Sequence, residues 1–371
     1  MSAELRVPSR LVALDGLRAL AALIVVFAHA SYAIAKSKLQ ALTLFHSPLG
    51  LFVNASGAIH VFFVLSGYCL TASALRGTSP AEIAQFYLRR VARIHGPYVA
   101  AAAIAWMASA WLYPAPHAGV SDWMRDLLAR RLSPSEFTRV LLFPGMVGGL
   151  LPQGWTLRVE MIFSLLLPFL VALAARTHWS VLVLVSLAAL GVSESFSSSR
   201  FALDFSLGIA LFLERDRLAA ALARARFATA ISGVAGVWLL WLPMYALLEA
   251  TSPRISTVVS AVGATLLLIA AANGPGLRRF LSWRPVAALG RVSYSIYLLH
   301  FTVLVLLTPL LDRPVGLAGG TAFAVVVALA TCAVAPIGYR AIEQPCIRAG
   351  NAVCAVVARR TGVSLRAARA A

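Results

Sequence analysis

Apolar residues run through this chain in blocks about as long as a bilayer is thick, separated by short polar segments that carry arginine. An α-helix needs roughly 20 mostly apolar residues to cross the hydrocarbon core. On that measure the pattern predicts ten spans, at about residues 17–35, 52–75, 96–113, 155–174, 179–192, 201–213, 227–248, 255–272, 292–310 and 317–339. The fifth and sixth are short for a full crossing. Arg6 and Arg10 ahead of the first apolar run fit a secretory signal peptide, but Arg18 and His29 frame that run and nine more blocks follow. It therefore reads as a retained helix. The expected fold class is all-α, a polytopic membrane bundle of about ten transmembrane helices. Residues 122–143 place Trp123, Leu127, Leu128, Phe137, Val140 and Leu141 at helical spacing, which predicts a segment lying along the outer interface. No internal repeat is visible. The expected organisation is a transmembrane domain over 1–345 and a basic cytoplasmic tail over 346–371, with no large soluble domain at either end.

Composition sharpens this picture. Of 371 residues, 60% are hydrophobic and 12% charged, against about 45–50% and 25% in soluble domains. A soluble enzyme, a disordered chain and a small disulfide scaffold are excluded. The net charge of +18, from 32 Lys+Arg and 14 Asp+Glu, invites a nucleic-acid reading. The cations, however, sit in short clusters between apolar blocks and form no basic domain interleaved with aromatics, so no nucleic-acid partner is expected. With the N-terminus inside, cytoplasmic segments hold 21 Lys+Arg and outside segments nine. That asymmetry predicts a multi-pass protein of the bacterial inner membrane with both termini cytoplasmic. Cys69, Cys332, Cys346 and Cys354 form no CxxC pair, and no Cys/His cluster has zinc spacing. Neither a disulfide framework nor a metal site is expected.

Ionisable residues inside spans carry the most information, because each costs about 2.5–3.5 kcal/mol at mid-bilayer and by default faces a partner or a cavity. The first span reads LDGLRALAALIVVFAHA from Leu14, with Asp15 at its start. Arg18 and His29 lie eleven residues apart, close to three turns, so both project from one face about 16 Å apart. A snorkelling arginine with a hydrogen-bonded core histidine explains the pair about as well as a site does. In the second span, His60 precedes FFVLSGY, where Ser66-Gly67 permits close helix approach. Packing is the plainer role for that motif, yet His60 needs a partner on any reading. FYLRRVARI then supplies Arg89, Arg90 and Arg93 on one helical face. Such a face either clamps phosphates with forked hydrogen bonds or anchors at lipid headgroups.

The fourth span opens GWTLRVE, from Gly154 through Trp155 to Glu160. A carboxylate about one turn inside the boundary matches the depth of His29 and could orient it. Asp204 is a second buried acid with no partner legible in the sequence. Tyr294, Tyr297 and His300 recur every third residue in the ninth span, as a cavity stripe or as an interfacial aromatic belt. Arg340 and Glu343, at the end of the last span, read as a structural ion pair.

Together these segments resemble the acyltransferase type 3 family of membrane O-acyltransferases. The likeness extends from Leu14 to about Pro345. It rests on the Arg18–His29 spacing, FFVLSGY, FYLRRVARI, GWTLRVEMIF, LGRVSYSIYLLHF and YRAIEQP, in family order. Two departures are His60 before the paired phenylalanines and His95-Gly96 ahead of Pro97.

The resemblance implies transfer of an acyl group, usually acetyl, from cytoplasmic acyl-CoA to a sugar hydroxyl of an envelope or exported glycan. Acetyl-CoA would be a co-substrate, with no bound cofactor. Arg18 and His29 match the family's essential pair, Arg89, Arg90 and Arg93 its basic motif, and Glu160 its acidic position. The expected mechanism has His29 as general base, Glu160 orienting it, and the arginines holding the donor's phosphates. Asp15, His60, Ser66, Trp155, Tyr294, Tyr297 and His300 are cavity or acceptor candidates. A covalent acyl-histidine or acyl-serine fits equally. Acylation of a small secreted molecule or lipid is one alternative reading. Export of a lipid-linked sugar is another, although two related halves with interrupted helices are not evident. The oligomeric state is left open.

Overall fold

The computed structural model describes residues 12–34, 48–77, 79–111, 118–129, 132–142, 144, 151–192, 198–225, 227–246 and 248–361. In chain order the helices are α1 (Val12–Ile34), α2 (Ala55–Ala74), α3 (Pro80–Trp111), α4 (Asp122–Ala129), α5 (Pro134–Leu142), α6 (Gly154–Arg176), α7 (Trp179–Val192) and α8 (Ala202–Leu213). There follow α9 (Arg215–Arg224), α10 (Ala228–Tyr245), α11 (Pro253–Asn273), α12 (Pro275–Leu281), α13 (Arg284–Arg291), α14 (Ser293–Leu307), α15 (Leu317–Gly338) and α16 (Gln344–Thr361). A π turn, Tyr339–Glu343, joins the last two into one continuous run. The described residues include no β-strand, and the fold class is all-α.

Every apolar block predicted from the sequence coincides with a helix, but ten full crossings are not borne out. Among the described residues, seven helical runs are long and apolar enough to cross a membrane: α1, α2, α6, α10, α11, α14 with its short extension, and the run from Leu317. The shortfall has two physical causes. At 14 and 12 residues, α7 and α8 reach only about 21 and 18 Å at 1.5 Å per residue. The third block ends a 32-residue helix, and its run of alanines after His95, Gly96, Pro97 and Tyr98 is not apolar enough over 18 residues. The segment expected as a C-terminal tail begins as a helix. Residues 344–361 form α16, which packs along α3 with Gly350 facing Ala92 and Cys354 Sγ donating to the Gln85 carbonyl at 3.5 Å; residues 362–371 lie outside the described residues. The 122–143 segment forms α4 and α5, whose Met124, Leu128 and Val140 are buried in the bundle.

The first helix is the hub. It packs against α2, α11, α13, α14 and α15, and Ala19, Ala22, Ala28 and Ala30 are fully buried along it. Such small residues let neighbouring backbones approach closely in an apolar solvent, where packing rather than the hydrophobic effect drives association. A close crossing is α2 on α8. A Cβ at Gly67 would sit 2.5 Å from the Phe205 carbonyl oxygen, and one at Gly208 would collide with that of Val64. Gly208→Val is therefore expected to destabilise the bundle by at least about 1–3 kcal/mol through overpacking, read as a lower melting midpoint and less monodisperse protein in detergent. An unchanged midpoint would show that this crossing is loose.

Candidate active site

Six helices line a cavity of about 280 Å³, into which α1 presents Asp15 and Arg18, α2 Ser66, α3 Arg89, Arg90 and Arg93, α6 Glu160, α8 Phe212, and α14 Tyr294 and Tyr297. Arg76, just beyond α2, adds a fifth guanidinium. The placement of the α3 arginines starts with a capping box: Ser79 Oγ accepts from the Glu82 amide at 3.3 Å, and Glu82 Oε2 accepts from the Ser79 amide at 3.0 Å. These reciprocal bonds satisfy orphan donors and set where the helix begins. Ten residues on from Ser79, Arg89 and its neighbours then reach the cavity.

The cavity is cationic. Five guanidinium groups face two carboxylates. Arg18 Nη1 donates to Asp15 Oδ1 at 2.9 Å, with Cys69 Sγ 3.9 Å from Nη2. Arg90 Nη2 donates to Glu160 Oε1 at 2.9 Å, while its Nε and Nη2 reach Ser164 Oγ at 3.2 and 3.1 Å. Ser66 Oγ also donates to Glu160 Oε1, at 3.3 Å. At the mouth, partial burial and the neighbouring Arg89 push the Arg76 guanidinium below its ordinary value. An excess of cations held together at a pocket mouth favours an anionic ligand.

On the far side of Tyr297 lies a pair of histidines. His300 Nε2 is 3.1 Å from His29 Nδ1, across 271 residues of chain. Their protonation follows from the other partners. His300 Nδ1 lies 2.8 Å from the Tyr297 carbonyl and His29 Nδ1 lies 3.1 Å from that of Val25. A carbonyl only accepts, so both Nδ1 atoms carry the proton. The His29 Nδ1 hydrogen is then shared between Val25 and the bare Nε2 of His300. This assignment leaves the lone pair on His29 Nε2, the atom able to accept a proton. His300 is fully buried, whereas His29 is partly exposed.

Tyr297 belongs to both regions. It lines the cavity, and its ring centroid is 5.9 Å from that of His300 and 5.5 Å from that of Phe62. Thr156 Oγ1 donates to the Gln153 carbonyl at 2.8 Å, so in the 2.6 Å contact between Thr156 and Tyr297 the phenol is the donor. Gln153 Nε2 fastens the start of α6 to α14 by donating to the carbonyls of Tyr297 and Leu298 at 3.3 and 3.2 Å.

Not every predicted residue falls where its expected role requires. Glu160 bonds to Arg90 and Ser66, and the ring paired with His29 is His300. His60 does find a partner, Asp204, with Nδ1 2.7 Å from Oδ1 and both side chains buried, but the pair lies outside the cavity lining. Trp155 packs beside the Phe201 ring at 5.6 Å, again away from the cavity. Tyr294 lines the cavity and donates its hydroxyl to the Ile94 carbonyl at 2.7 Å. Glu343 is buried and accepts from Ser295 Oγ at 2.9 Å, while the Arg340 side chain is exposed. The contacts of Gln153, Thr156 and Trp123 carried no sequence signal beyond residue type.

The profile of a family described as "Acyltransferase domain" matches residues 11–340. The chain is 28% identical over 374 residues to the acyltransferase MdmB of Streptomyces mycarofaciens, covering 91% of this chain and 92% of that protein. It is also 36% identical over 89 residues to the putative peptidoglycan O-acetyltransferase YrhL of Bacillus subtilis, covering 24% of this chain and 13% of that one. No solved structure matches the chain.

Proposed function

Since the chain belongs to the acyltransferase 3 family of membrane acyltransferases, we propose that it moves an acetyl group from cytoplasmic acetyl-CoA to a hydroxyl of an envelope or exported glycan. One observation carries this reading: Tyr297 both lines the cationic cavity and sets its ring 5.9 Å from His300, the partner of the histidine with a free lone pair. At about 280 Å³, the cavity sits at the low end of the roughly 300–1,000 Å³ typical of ligand pockets. That space suits a pantetheine arm and its thioester. The nucleotide end of the donor would stay at the mouth, its 3′-phosphate and pyrophosphate held by Arg76, Arg89 and Arg93.

In this reading His29 Nε2 removes the proton of the acceptor hydroxyl as its oxygen attacks the thioester carbonyl. The C–S bond breaks, the thiolate of coenzyme A leaves, and the proton held by His29 goes to that sulfur. His300 Nε2 accepts from His29 Nδ1 throughout, which holds the ring and favours its charged form, the part the sequence suggested for Glu160. Glu160 instead orients Arg90. The arginine end of α1 faces the cytoplasm and the His29 end faces outward, as the distribution of arginine along the chain predicts.

Detergent-purified protein mixed with radiolabelled acetyl-CoA and a glycan acceptor should label the glycan and release one thiol per acetyl moved. Binding of acetyl-CoA without transfer to any hydroxyl, or failure to bind it, would overturn the proposal.

A further inference from the structure

His29 is boxed by rings that the catalytic reading does not use. Trp123, from α4, lies with its plane 19° from that of His29 and its centroid 6.2 Å away. Tyr32 stands edge-on to both, at 6.1 Å from each, and Phe301 is edge-on to both at 6.0 Å. The indole is 37% exposed, yet its helix is firmly docked. Met124 and Leu128, one and five residues after it in sequence, are buried. The Ser121 amide donates to the Ala33 carbonyl at 2.8 Å, and the Gly119 amide to that of Leu311 at 3.1 Å. Of the α4 charges beside the indole, Asp122 and Arg125 pair with each other at 2.7 Å, and Asp126 lies exposed three residues on from Trp123. The indole is therefore a partly exposed aromatic face held in a fixed position beside the base.

We propose that Trp123, with Tyr32, is the acceptor platform: it binds an uncharged, hydroxylated saturated ring by its C–H face and thereby delivers an edge hydroxyl to His29 Nε2. This inference rests on acyl transfer at His29 and names the acceptor class of that site. The chemistry follows from the indole, whose face is apolar and electron-rich. It attracts the polarised C–H face of a sugar ring, while the ring's hydroxyl edge is left for hydrogen bonding. An acyclic alcohol or water offers no such face and gains nothing from the indole. Trp123 is thus a binding residue whose loss should separate one acceptor class from another.

The test uses the purified full chain with radiolabelled acetyl-CoA and three acceptors: an N-acetylglucosamine tetramer, glycerol, and water (thioester hydrolysis). For Trp123→Ala the acceptor KM for the tetramer should rise about tenfold, the scale of one lost ring stack. The donor KM and the turnover with glycerol and water should stay within about twofold. Trp123→Phe, which keeps an aromatic face, should recover most of the difference. Three results would overturn the platform alone: an unchanged tetramer KM, an equal loss on tetramer and glycerol (the mark of a structural role), or a wild type that acetylates glycerol but not the tetramer. Absence of His29-dependent turnover with every acceptor would overturn acyl transfer at His29 and this inference with it.

Discussion

Replacing His29 with alanine should lower kcat by about 10²–10⁴-fold, the range contributed by a positioned general base, without reducing the amount of folded protein. The side chain is partly exposed and hydrogen-bonds to one carbonyl and one other ring, and the helices around it are held together by many contacts that do not involve it, so the fold should survive its loss. His300→Ala should cost less on its own, because the base remains while its orientation and its acceptor are lost. The double variant should be no worse than His29→Ala, since residues that act as a unit do not lose activity additively. Glu160→Gln combined with His29→Ala should instead show additive losses in free energy, because that carboxylate serves Arg90. Wild-type turnover by His29→Ala would remove the base assignment. Coupling between positions 29 and 160 as strong as that between 29 and 300 would return Glu160 to the chemistry.

Changing Arg89 and Arg93 to glutamine should raise the KM for acetyl-CoA by about 10- to 150-fold per lost phosphate contact, from roughly 1.5–3 kcal/mol for a hydrogen bond to a charged group, while the acceptor KM holds. Arg90→Gln is expected to behave differently. Its guanidinium already spans Glu160 and Ser164, so its removal leaves a partly buried carboxylate without its cation. Breaking such a pair is strongly destabilising, and the yield of folded protein should fall along with donor affinity. Measuring both KM values and detergent-extractable protein for each variant separates the roles. If Arg89→Gln and Arg93→Gln change abundance or membrane orientation but leave acetyl-CoA affinity intact, these side chains anchor to headgroups and the cavity has another occupant.

The helices were legible because the apolar blocks are long and the polar gaps short; the number of crossings was not, since block edges do not reveal that α7 and α8 stop at 14 and 12 residues. The site was half legible. Residue types in the first span, in the arginine cluster ahead of the third and in the ninth span pointed to side chains that the fold brings to the cavity or to the histidine pair, and the Asp15–Arg18 pair is local enough to be seen in a helical wheel. The remote pairings were not legible. His29 with His300 spans 271 residues, His60 with Asp204 spans 144, and Arg90 with Glu160 spans 70. Matching depth suggested Glu160 for His29, but depth says nothing about direction around the helix axis. The sixth helix packs on α2 and α3, and that azimuth turns Glu160 toward Arg90. Likewise, the spacing of Trp123 showed an amphipathic turn, while its stacking on His29 depends on where α4 docks.

The central position of α1 sets a constraint on how the chain is made. This helix leaves the ribosome well before α13, α14 and α15, which enclose it and begin only at residue 284. At about 5–20 residues per second, the 271 residues separating His29 from His300 take roughly 14–54 s to synthesise. Throughout that interval the helix sits in lipid with much of its final enclosure unmade. Its permanent cation carries its own counter-ion three residues away, Asp15 at 2.9 Å, and so needs no later helix for neutralisation. The residue left waiting for a distant partner is the one that can wait uncharged. Nascent insertion thus divides the polar groups of the first span by the charge they must carry, with the unavoidable charge matched locally and the titratable ring matched last.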